Sequence, residues 1–111
     1  KSSDPAFKAF ESMPWGYRAM FVLLHTYRVR NGCRTLREMI SRYAPPTENH
    51  TENYIRAVAT QAQVSPDEAL DTRNGNTMIP IVAAMSRVEN GTPAQMDEVR
   101  AGWDLFVKYP V

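Results

Sequence analysis

Apolar residues recur every three or four positions along three stretches of the chain. Leu36, Met39, Ile40 and Tyr43 step i, i+3, i+4, i+7, and Met96, Val99, Trp103 and Phe106 repeat at three or four. Tyr54, Ile55, Val58, Ala59 and Ala62 form a third stripe. That period lays apolar side chains along one face of a helix. Residues 19–24 and 78–85 differ, because they are apolar nearly all round. A helix of that kind belongs in the middle of a bundle, so 14–31 and 77–90 are expected to be the core pair.

Start and stop signals set the boundaries. Thr35 with Glu38, Ser65 with Glu68 and Thr92 with Gln95 each fit a capping box. In that motif a hydroxyl accepts from one free amide of the first turn, while the acid or amide reaches back to another. Asn49 with Glu52 is a weaker version. Pro66 and Pro93 suit the first helical position, where the missing N–H costs nothing. Gly32 and Gly91 suit the left-handed residue that ends a helix. Pro45 closes one helix, and the Pro45-Pro46 pair stiffens the turn to the next. The predicted helices are 14–31, 36–44, 50–63, 66–71, 77–90 and 93–108. Pro80 then falls in a first turn, where its amide has no partner to lose. Residues 1–12 lack a clear period; Phe7 and Phe10 are expected to anchor a strand-like or irregular arm.

The expected fold is all-α, a compact bundle of five to six helices forming one domain over 1–111. A chain of this length buries about 60 to 70% of its unfolded surface. The 43% hydrophobic content is ordinary for a folded domain, and no apolar run is long enough to span a bilayer.

Charge is unevenly spread. Residues 18–42 hold six arginines against one acid, Glu38, a local charge of +5. The remainder holds seven bases and eleven acids, or −4. Arginines sharing a face would suit an anionic polymer such as nucleic acid. Arginines paired with acids from other segments would instead be an ordinary solvated surface.

The single cysteine, Cys33, excludes an internal disulfide and a cysteine metal cage. His25 and His50 each lack a second ligand at helical spacing, so no metal site is expected. With neither a phosphate-binding glycine loop nor a nucleophile elbow, no cofactor is expected either.

Carboxylates are the remaining chemistry. Glu89 lies at the end of a helix, where its charge faces the negative end of the helix dipole. Apolar surroundings would favour its protonated form, the state a general acid needs. A salt bridge to Arg18 or Arg42 would account for it equally well. Glu48, just before a helix start, is stabilised as the anion and suits a base. Glu11 is a third candidate. Glycoside cleavage usually needs two carboxylates about 5 to 9.5 Å apart, which spacing along a chain cannot place. Tyr43, Tyr54, Trp15 and Trp103 could line an aromatic groove for sugar rings, or be core. The stiff turn could present Glu48, Asn49 and Thr51 to a ligand.

The segment from Arg42 to Thr51, Arg-Tyr-Ala-Pro-Pro-Thr-Glu-Asn-His-Thr, followed by Tyr54-Ile55, resembles a signature of small phage and prophage proteins. They are known as the structural protein P5 family and are often virion proteins. Phe7 and Phe10, Gly16-Tyr17-Arg18-Ala19, Leu23-Leu24 and Tyr27 resemble its upstream pattern; Ala84-Met85 and Glu89-Asn90-Gly91 resemble its late helix. The likeness covers about residues 7–91. Many relatives begin with an Asn-Asn-Pro segment, so the resemblance implies a piece of chain preceding Lys1. A weaker similarity joins the same residues to bacterial glucosaminidase domains and the helical lobe of lysozyme-like proteins. Those enzymes carry their acid glutamate upstream, in a region this chain does not include.

What the resemblance implies is a phage virion-associated protein acting at the bacterial envelope. Its expected partners are peptidoglycan or other virion proteins, and its place the virion, the host cytoplasm or, during entry or release, the periplasm. Arg42, Tyr43, Asn49, Thr51 and Tyr54 are the candidate ligand-binding residues. Glu89, Glu48 and Glu11 are the candidate catalytic ones. A lysozyme-like peptidoglycan glycoside hydrolase is the alternative, and a nucleic-acid-associated phage protein the second.

Overall fold

A computed structural model describes residues 13–46 and 50–111. Five helices account for most of them: α1 Met13–Arg30, α2 Leu36–Tyr43, α3 Thr51–Ala62, α4 Gly75–Asn90 and α5 Met96–Lys108. Among the described residues there is no strand, only an isolated antiparallel bridge between Thr35 and Ala69. The fold is an all-α bundle. The expected arm, with Phe7, Phe10 and Glu11, lies outside the described residues, as do Glu48 and Asn49.

The three stripes are buried as their spacing requires. Leu36, Met39 and Ile40 of α2, Ile55 and Val58 of α3, and Val99 and Phe106 of α5 are at most 2% exposed. They meet Met20, Phe21 and Leu24 of α1 and Met78, Ile81, Val82 and Met85 of α4 in one core. Each such side chain, fully buried, contributes about 1.5 to 3 kcal/mol.

The pairing of helices differs from expectation. The most extensive contact joins α1 to α5, and the next joins α3 to α4; α1 and α4 touch far less. Gly102 explains the first contact. A Cβ there would sit 2.6 Å from Tyr17 Cβ and 2.8 Å from the Pro14 carbonyl oxygen. Only a residue without a side chain lets α5 approach α1 so closely, and the all-round apolar faces of α1 and α4 are covered by separate neighbours.

Helix 66–71 does not form. Ser65 Oγ accepts from the Asp67 amide at 3.2 Å, and the segment spends its backbone groups on the entrance to α2. The Arg37 amide donates to the Pro66 carbonyl, and the Leu70 amide to the Arg34 carbonyl. A helix of six residues is marginal alone, and these bonds replace it.

Two helix starts also shift. α5 begins at Met96, with Gln95 at its N-cap and no side-chain cap bond, so the Thr92 box is not made and Pro93 precedes the helix. Asp97 and Glu98 instead supply negative charge to its first turn. α4 begins at Gly75, capped by the Asn74 side chain on the Asn76 amide at 3.0 Å. A Cβ at position 75 would lie 2.8 Å from Trp103 Nε1, so glycine is what fits there. Pro80 is therefore beyond the first turn, inside the helix, and cannot donate to the Asn76 carbonyl.

Candidate functional site

α4 ends where the sequence signals it. Gly91 takes the left-handed conformation (φ 78°) and returns its amide to the Arg87 carbonyl. That stop puts Glu89 in the last turn, half-buried. α2 ends on Tyr43, and the Pro45-Pro46 turn carries the chain towards α3. Thr51, the first residue of α3, is 6% exposed, and its hydroxyl donates to the Ala44 carbonyl at 2.5 Å. This bond ties the two helix ends together across the prolines. One turn further, Tyr54 meets Tyr43 edge to face, with ring centroids 6.3 Å apart.

Glu89 is brought to this pair. Burial pushes the Tyr54 hydroxyl well above the ordinary tyrosine range, and the Glu89 charge pushes it further in the same direction. The Tyr54 oxygen makes no hydrogen bond of full strength among the described residues. The Glu89 charge nonetheless reaches it.

The arginines proposed as partners of Glu89 are engaged elsewhere. Arg18 donates to the Tyr109 carbonyl and lies over the Trp15 ring, 5.8 Å from its centre. Arg42 is exposed and sits over Tyr27, 5.7 Å from the ring centre. Burial raises the Tyr27 hydroxyl above its usual range, and the Arg42 charge partly offsets this.

The chain is similar to a phage protein. Over 102 residues, 91% of its length, it is 36% identical to Protein P5 of Pseudoalteromonas phage PM2. It spans 62% of that protein's length. No family model matches the chain.

The other candidates fall in different places. The four aromatics do not share a groove. Trp15 stacks on Tyr109, and Trp103 packs against Phe21 and Phe106, so only Tyr43 and Tyr54 belong together. The arginines of 18–42 are likewise dispersed. Arg37 is neutralised by Asp67 at 2.8 Å and Glu52 at 2.6 Å, and Arg28 donates to the Leu70 carbonyl. Among the described residues no three metal-ligating side chains gather. No described helix is long and apolar enough to cross a membrane.

One polar cluster has no counterpart in the sequence reading. His25, 6% exposed, holds Thr72 Oγ1 at 2.7 Å through Nδ1 and Arg73 Nη2 at 3.3 Å through Nε2. Because the guanidinium can only donate, Nε2 is the acceptor and Nδ1–H donates to Thr72. The partners lie 47 and 48 residues away, beyond the reach of any helical spacing rule.

Proposed function

We propose that this chain is part of a phage virion-associated protein that works at the bacterial envelope, with peptidoglycan as its ligand. The observation that carries the reading is the meeting of Glu89, Tyr54 and Tyr43 where α4 ends beside the α2–α3 turn. A half-buried carboxylate accepts from sugar hydroxyls, while Tyr43 and Tyr54, each 8% exposed, back it from the core rather than meeting a sugar ring themselves. The similarity to a phage protein supports the setting, and other virion proteins are the expected protein partners. We take residues 1–111 as one domain.

A second reading, a peptidoglycan glycoside hydrolase, is favoured by the same half-buried carboxylate. Glu89 would protonate the leaving oxygen and a second carboxylate would act opposite. The candidates for that second group, Glu48 and Glu11, lie outside the described residues. The nucleic-acid reading draws less support, since four of the six arginines in 18–42 engage separate parts of the fold.

Purified sacculi separate these readings. Retention of the chain on sacculi without release of soluble fragments supports binding. Release of muropeptides that the Glu89→Gln variant does not produce supports the hydrolase. Neither retention nor release would overturn the peptidoglycan assignment.

A further inference from the structure

A cleft of about 470 Å³ opens between the C-terminal half of α1 and the segment 69–73. It shares no residue with the Glu89 site. His25, Arg28, Leu70, Asp71 and Arg73 contribute to its walls. Two arginines line it, and each guanidinium donates to a neutral acceptor. Arg28 Nε donates to the Leu70 carbonyl at 3.2 Å, and Arg73 Nη2 donates to His25 Nε2 at 3.3 Å. Contrast Arg37, which faces two carboxylates. Among the described residues neither Arg28 nor Arg73 forms an ion pair. Asp71 also lines the cleft, but its Oδ1 accepts from the Arg73 amide at 3.0 Å.

The cleft therefore holds two cations, neither of them in an ion pair among the described residues, against one carboxylate turned to the backbone. Guanidinium forks fixed in this way match the paired oxygens of a phosphate. We propose that the cleft binds a phosphate or phosphate monoester, held between Arg28 and Arg73. His25 acts as a positioning residue, because it fixes the Arg73 fork and is itself fixed by Thr72. The volume exceeds what inorganic phosphate fills, leaving room for the organic part of an ester.

The test titrates inorganic phosphate into the 111-residue chain at constant ionic strength, balanced with chloride, and follows the His25 ring and the Thr72 and Arg73 amides by NMR. Saturable shifts confined to these groups are expected. Arg28→Gln and Arg73→Gln should each weaken binding by about tenfold or more, as the loss of a charge-assisted pair implies. Asp71→Asn should tighten it, and Arg34→Gln, outside the cleft, should leave it unchanged. Glycerol 3-phosphate should compete for the same shifts; failure to compete would overturn the ester assignment. Non-saturating shifts, shifts spread equally over Arg30 and Arg34, or a dissociation constant unmoved by both cleft variants would overturn the site. Arg28 and Arg73 each contribute one hydrogen bond, so the variants should fold, and a thermal melt in chloride checks that they do.

Discussion

His25 Nδ1 lies 2.7 Å from the Thr72 hydroxyl, and both groups are buried. This bond closes the segment 69–73 over α1, and its companion on the other ring nitrogen, where Nε2 accepts from Arg73, requires a neutral imidazole. Burial pushes the His25 pKa below its ordinary 6.5; the Arg73 charge lowers it further, and Asp71 opposes more weakly. The unfolded chain thus takes up a proton more readily than the folded one. Stability contributed by the neutral ring is present above pH 6.5 and is lost as pH falls below it. Denaturant unfolding between pH 7.5 and 5 should show the wild-type chain losing stability faster than His25→Gln. Parallel losses would mean that His25 does not titrate out of the fold.

Thr72→Val tests the same bond at neutral pH. It leaves the buried Nδ1–H without an acceptor, which costs about 1 to 3 kcal/mol. Chemical denaturation at pH 7.5 measures it, and an unchanged midpoint would place the hydroxyl outside the stabilising network.

Gly102→Ala sets two effects against each other. In an open helix the change gains about 1 kcal/mol from helix propensity. Here the added Cβ would fall 2.6 Å from Tyr17 Cβ and 2.8 Å from the Pro14 carbonyl oxygen, and backbone cannot swing aside. Overpacking costs about 1 to 3 kcal/mol, so the expected result is net destabilisation. The melting temperature decides the sign, and a rise would show that α1 and α5 separate easily.

Capping boxes show how far local spacing can be read. Thr35 makes its box: the hydroxyl accepts from the Glu38 amide at 3.1 Å, and Glu38 Oε1 accepts from the Arg34 and Thr35 amides. Those amides hold the Glu38 carboxyl below its usual range. Thr92 carries the same pattern, but α5 begins four residues later, with Asp97 and Glu98 in its first turn. Thr35→Ala should therefore cost about 1 kcal/mol, while Thr92→Ala should stay within about 0.5 kcal/mol. Equal losses would mean that α5 starts at the threonine after all.

The same contrast explains what was legible. Apolar stripes report which face a helix buries, and the buried Leu36, Ile55, Val99 and their neighbours follow from spacing alone. Which helices meet depends on Gly102 and on Gly75 beneath Trp103, contacts between residues far apart in the chain. Segment 66–71 carries strong helix-start residues, yet its amides and carbonyls answer to Arg34 and Arg37. In the candidate site, Glu89 could be placed at a helix end from Asn90-Gly91. Its approach to Tyr54 is set by how α3 and α4 pack. The His25–Thr72–Arg73 cluster left no local signal at all.

Glu89→Gln and Tyr54→Phe probe the proposed site from its two sides. Glutamine keeps the shape of Glu89 but removes its charge, which faces both the α4 dipole and the Tyr54 hydroxyl. The dipole penalty relieved is about 0.3 to 1 kcal/mol, so the melting temperature of Glu89→Gln should hold or rise. Retention on sacculi, or release of muropeptides from them, should fall to background in the same variant. Tyr54→Phe removes a buried hydroxyl without a full-strength bond, so stability should change little or increase. Its effect on sacculi then reports whether the phenol assists the carboxylate. Unfolding of Glu89→Gln would instead assign the carboxylate to holding the fold, and the envelope reading would lose the residue on which it rests.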